Sequence, residues 1–187
     1  MKLPTLDTMD LDNRRVLLRV DFNVPMENGQ ITDDTRIRAA LPTIAWLRSK
    51  GCKLVIASHL GRPKGPDATL SLEPAAARLA ELINGEVLFA HDIVGDDVEL
   101  LSKELIPGGV MMLENLRFHP GEKGGDETFA QQLARLGDVY VTDAFGVMHR
   151  AETSVSAVVA HFDTAGVGFL VQKERSEEHT SELQSHS

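Results

Sequence analysis

The chain has 187 residues, of which 42% are hydrophobic and 25% charged, with a formal net charge of −9. This is the make-up of one globular domain with a full core; the acidic balance argues against a nucleic-acid partner, and no apolar run reaches the roughly 20 residues of a membrane-spanning helix. The single cysteine, Cys52, cannot form an internal disulfide, and the N-terminus MKLPTLDTMD lacks the basic flank and apolar stretch of a secretion signal, so a cytoplasmic location is expected.

The first predicted strand covers 15–22, where the run VLLRV passes abruptly into Asp21, Asn23 and Pro25. Strand interiors disfavour Asp and Asn, and Pro cannot donate to a ladder, so polar groups here mark the mouth of a buried strand. A helical pattern follows over 35–49, with Ile37, Leu41, Ile44 and Leu47 on one face; Pro42 should kink or divide it. A strand at 53–59 leads into SHLGRP, and a helix starting near Ser71 carries Pro74 in its first turn. Next come a strand at 86–90, a helix at 96–105, a strand at 110–114 that ends in ENLRF, and a helix from Asp126 that stops at Gly137. The last predicted elements are a strand at 139–143 ending in DAFG, a weak helix at 154–161 and a weak strand at 165–170. Residues 175–187, RSEEHTSELQSHS, have no apolar periodicity and resemble the read-through of a sequencing adapter. The expected organisation is therefore one domain at 1–174 and a non-native or disordered tail at 175–187.

Strand alternating with helix predicts an α/β fold: a Rossmann-like parallel sheet with helices on both faces, in three layers. Right-handed crossovers then place every strand's carboxyl end on one rim, where open α/β sheets bind ligands. That rim should collect Asp21, Asn23, Ser58, His59, Arg62, Asn115, Arg117, Asp143 and Arg150, with Arg36 one turn into a neighbouring helix. Several arginines converging on one edge of an acidic protein suit phosphate or carboxylate, which the planar guanidinium grips with two parallel hydrogen bonds. Asp21 and Asn23 suit a substrate hydroxyl or orient a neighbouring arginine. The pattern predicts a pocket for a small, multiply anionic molecule bearing a hydroxyl. The chain has no G-x-x-x-x-G-K-[ST] loop, no G-x-G-x-x-G, no G-x-S-x-G elbow and no His/Cys spacing of a zinc site. No metal is therefore expected, and nothing in 1–174 reads as a nucleotide site. Glu122, Lys64 and Lys123 read as charges that keep loops solvated.

RVDFNVP (19–25), TRIRAALPTI (35–44), SHLGRP (58–63), ENLRF (114–118), DAFG (143–146) and HRA (149–151) stand in an order that resembles the N-terminal, phosphoglycerate-binding lobe of the phosphoglycerate kinases. The resemblance covers residues 1 to about 174 and implies one lobe of a two-lobed glycolytic kinase. Such enzymes move a phosphoryl group between 1,3-bisphosphoglycerate and ADP, giving 3-phosphoglycerate and ATP. It implies that Asp21 and Asn23 contact the substrate's hydroxyl and carboxylate end, that His59 and Arg62 hold it through their loop, and that Arg117 and Arg150 grip its stable phosphate. Arg36 is implied as the catalytic residue that steadies the phosphoryl group in transit. Mg-ADP or Mg-ATP is implied for a second lobe that this chain does not contain, so the chain is expected to be inactive alone, and monomeric. The competing readings are a stand-alone anion-binding module without catalysis and a flavodoxin-like signalling domain with Asp21 as phosphoacceptor.

Overall fold

The computed structural model describes residues 2–185. In chain order the elements are strand β1 (Arg15–Arg19), a hairpin of β2 (Met26–Glu27) and β3 (Gln30–Ile31), helices α1 (Thr35–Ala39) and α2 (Leu41–Ser49), and strand β4 (Lys53–Ala57). Helix α3 (Glu73–Ile83), strand β5 (Leu88–Phe89), helix α4 (Asp96–Glu104), strand β6 (Val110–Met112) and helix α5 (Glu127–Ala134) follow. Strands β7 (Val139–Thr142) and β8 (Ala165–Val167) and helix α6 (Phe169–Ser185) complete the chain.

Six strands form one sheet in the order β5-β6-β4-β1-β7-β8, and every pairing is parallel. Strand β1 lies at the centre. The chain leaves it to one side for β4 and returns to its other side for β7, which opens a crevice beyond its carboxyl end. Residues 16–19 of β1 are all buried, as expected of a parallel strand covered on both faces. Successive side chains serve opposite layers. Val16 and Leu18 pack with Ile44, Leu47, Ala75 and Leu79 on one face, and Leu17 packs with Val98, Phe129, Leu133 and Leu136 on the other. The result is the expected three-layer α/β fold.

Local structure departs from the expected pattern where one residue dominates. Pro42 divides the 35–49 stretch: α1 ends at Ala39, and Pro42 sits in the first turn of α2, where its missing N–H leaves no bond unmade. The β2–β3 hairpin was not expected, although Asn28-Gly29 signals it; both residues take positive φ (52° and 76°), the conformation a two-residue hairpin turn demands. The 154–161 stretch holds a 3₁₀ segment, Ala157–His161, rather than an α-helix. The strand expected over 165–170 stops at Val167, because Gly168 turns the chain into α6 at a point where any Cβ would collide with the Asp143 carboxylate. Residues 176–184, expected to be irregular, continue α6 as an exposed helix. Val171 buries in the first turn, and the following Glu, Gln, Lys and Arg are good helix formers, so propagation from that nucleus costs little. Residues 186–187 of the expected tail at 175–187 lie outside the described residues. Among the described residues no helix is long and apolar enough to cross a membrane.

Candidate active site

The first loop on the rim leaves β1 at Val20. Asp21 accepts the backbone N–H of Asn23 at 3.1 Å and pairs with Arg36 Nη1 at 3.3 Å, and the same Nη1 donates to the Asn23 carbonyl at 2.8 Å. Helix α1 thus delivers Arg36 to the mouth of β1, and its side chain remains half exposed. Asn23 Oδ1 accepts the Gly61 N–H at 2.9 Å, which fastens this loop to the one after β4. A cleft of about 250 Å³ opens beside the pair and is lined also by Asp143, Phe145, Gly146 and Leu170.

The second loop carries His59, only 3% exposed. Its Nδ1 lies 3.0 Å from Nη2 of Arg19, the last residue of β1. A guanidinium only donates, so Nδ1 accepts and the ring proton sits on Nε2. Burial and then the positive fields of Arg19, Arg117, Arg150 and Arg36 push the His59 pKa down to about 3. Four arginines from four separate segments therefore act on one imidazole. His59 is a neutral donor at physiological pH.

Arg117 comes from the third loop, shaped by Asn115. This fully buried amide accepts the N–H groups of Leu60 and Arg117 and donates to the carbonyls of Leu60 and Leu70. Arg117 Nη1 donates to the Gly61 carbonyl at 2.7 Å. Its Nη2 meets Glu152 Oε1 at 3.2 Å, and Arg150 Nη1 lies 3.5 Å from the same oxygen. Asp21, Asn23, Arg36, His59, Arg117 and Arg150 are thus joined by hydrogen bonds, by a shared ion-pair partner or by their field on His59. Arg62 is not: it is exposed and hydrogen-bonds to nothing among the described residues.

Two charged residues beneath the site carried no role in the sequence reading. Arg19 is 1% exposed; its Nε donates to Ser154 Oγ at 2.9 Å and its Nη1 to the Val20 carbonyl. Ser154 Oγ in turn donates to Glu122 Oε2 at 2.6 Å, and Glu122 Oε1 accepts the Ser154 N–H at 2.8 Å. Glu122 is therefore not a solvated loop charge. It is 1% exposed, and burial raises its pKa despite the pull of Arg19. The available signal was an arginine closing an otherwise apolar strand, since a charge buried between two layers needs a partner. Glu122 gave no such signal, because its loop reads as polar and glycine-rich. Asp143, at the mouth of β7, points away from this network. Its Oδ1 accepts the N–H groups of Leu170 and Val171 at 3.0 and 3.4 Å and so caps α6 from outside the helix. Among the described residues no cluster of His, Cys, Asp or Glu is placed to hold a metal ion.

A neutral imidazole held against a buried arginine and lying in the field of three more, over a buried arginine–serine–glutamate network, can bind an anion rich in oxygens; it offers no activated nucleophile. The family model described as phosphoglycerate kinase matches residues 6–182. A phosphoglycerate kinase of Anaeromyxobacter dehalogenans is 53% identical over 178 residues, covering 93% of this chain and 45% of that protein. A wheat (Triticum aestivum) relative named phosphoglycerate kinase, cytosolic, is 50% identical over 171 residues, covering 91% of this chain and 43% of that protein. The solved phosphoglycerate kinase of Pyrococcus horikoshii superposes with a TM-score of 0.85 at 36% identity, covering 93% of this chain and 44% of that one. The chain spans less than half the length of these relatives.

Proposed function

Because the chain belongs to the phosphoglycerate kinase family, we propose that its arginine-lined rim binds 3-phosphoglycerate and 1,3-bisphosphoglycerate for phosphoryl exchange with ADP and ATP. The observation that carries this reading is the run of contacts along the strand ends: Arg36 with Asp21 and the Asn23 carbonyl, Asn23 with Gly61, Gly61 with Arg117, Arg117 and Arg150 with Glu152, and buried His59 against Arg19. Arg117 and Arg150 take the stable phosphate, and His59 donates Nε2–H to an anionic oxygen. Asp21 holds Arg36 at the mouth of the cleft. Arg36 there faces charge that spreads over the equatorial oxygens as the phosphoryl group moves, and phosphoryl transfer depends on such placement and neutralisation more than on a covalent nucleophile. Arg62 enters only if its exposed side chain folds over bound substrate.

This reading assigns Mg-nucleotide to the part of the family's length that the described residues do not span, so that this stretch by itself binds substrate without turnover. A cytoplasmic, monomeric protein fits the reading. The test is calorimetric titration of the chain with 3-phosphoglycerate, beside Arg117→Ala and Arg150→Ala. Each substitution is expected to weaken binding at least tenfold, about 1.4 kcal/mol; unchanged affinity in both removes the phosphate assignment.

A further inference from the structure

Glu152 is oddly placed for a site that should attract anions. Its Oε1 lies 3.2 Å from Arg117 Nη2 and 3.5 Å from Arg150 Nη1, and its side chain is 15% exposed. Its Oε2 is buried and has no hydrogen-bond partner among the described residues. A carboxylate built in as a permanent strut would use both oxygens, since a buried lone pair without a donor costs free energy. Here a single oxygen is shared between two guanidinium groups, whose forks suit an oxyanion with more oxygens to offer. The Glu152 backbone is held independently of its side chain: its carbonyl accepts Ser156 Oγ at 2.8 Å and the N–H groups of Val155 and Ser156 at 3.1 and 3.0 Å. The side chain can therefore change rotamer without disturbing the turn.

We propose that Glu152 is an internal counter-ion that occupies the Arg117–Arg150 pair in the empty site and must leave it when a phosphate monoester binds, so that this residue sets the affinity of the site. The proposal rests on the reading that Arg117 and Arg150 meet the substrate's phosphate. Glu152 and a phosphate cannot both lie against the same guanidinium edges. Like charges a few ångströms apart in a half-buried pocket repel strongly, and the incoming group must overcome both the lost ion pairs and this repulsion. Glu152 keeps two arginines charge-matched and ordered before substrate arrives, at the expense of affinity.

The experiment titrates the 187-residue chain and its Glu152→Gln, Glu152→Asp and Arg117→Ala variants with 3-phosphoglycerate and with inorganic phosphate, after thermal unfolding has shown each variant to be folded. Glu152→Gln should bind both probes about tenfold more tightly, and Glu152→Asp, which keeps the charge, should stay near wild type. Equal or weaker binding by Glu152→Gln, with Arg117→Ala severely impaired, overturns the counter-ion and leaves the substrate site standing. Wild-type binding by Arg117→Ala, or no binding of either probe by any variant, overturns the phosphate reading and the counter-ion with it. Should Glu152→Gln not fold, a crystal structure of the unaltered chain with phosphate bound decides the matter. It must show Glu152 withdrawn from both guanidinium groups; a carboxylate still paired there overturns the proposal.

Discussion

Arg19 and His59 show how a side chain's neighbours decide its chemistry. An arginine on the central strand would be a liability in an apolar layer, yet Ser154, the Val20 carbonyl and His59 take up its donors, and Glu122 supplies the compensating charge one hydroxyl away. Burial lowers its pKa, but a guanidinium starts so high that it stays charged. The imidazole beside it pays instead: with its pKa near 3, His59 does not titrate at neutral pH. Substrate binding should therefore carry no histidine signature. The ratio of wild-type to His59→Gln affinities for 3-phosphoglycerate is expected to stay flat from about pH 5.5 to about pH 8, where an ordinary histidine changes charge. A ratio that climbs as pH falls through 6.5 would mean the ring binds as a cation.

Among the elements, α6 depends most on a distant residue. Its first N–H groups have no partner within the helix. Thr43 Oγ1, on α2, takes that of Phe169 at 2.9 Å, and Asp143, beyond β7, takes those of Leu170 and Val171. Asp143 is 1% exposed and its Oδ2 has no partner among the described residues, so burial raises its pKa to about 6 despite the opposing hydrogen bonds of the Thr43 side chain and the Leu170 and Val171 N–H groups. A carboxyl whose folded pKa lies above its ordinary value stabilises the fold fully at pH below about 4. That stability is lost as the pH rises through about 6. Asp143→Asn keeps the acceptor and removes the titration. The stability of the variant relative to wild type should therefore increase by roughly 2–3 kcal/mol between pH 4 and pH 7, measured by denaturant unfolding at each pH. A pH-independent difference would show that the carboxyl ionises normally.

At the scale of the whole molecule, an acidic chain of net charge −9 brings Arg19, Arg36, Arg117 and Arg150 to one rim. The sheet makes this possible: parallel strands send β1, β4, β6 and β7 to the same edge, so residues 36, 59, 117 and 150 meet although they are far apart in sequence. The purified 187-residue chain is expected to bind 3-phosphoglycerate and yet form no product from it with Mg-ATP in a coupled assay. Any ATP-dependent turnover above a protein-free control would contradict that expectation.

The alternation of apolar runs and amphipathic stretches determined the strand and helix inventory, and parallel crossovers then fixed the common rim, because both follow from local periodicity and chain handedness. The residue types there were legible for related reasons: Asp21, Asn23, His59 and Arg117 stand just past runs that had to be buried, Arg36 lies one turn into the helix beside that rim, and Arg150 follows in the loop after β7. The Asn28-Gly29 turn was equally legible, since positive φ is a local property. Tertiary structure alone decided that Glu122 is buried against Ser154, that Arg19 faces His59, that Glu152 bridges two arginines and that Arg62 stands apart. Those outcomes depend on which loops touch, and burial, pairing and pKa are set by neighbours distant along the chain, about which local sequence carries no information.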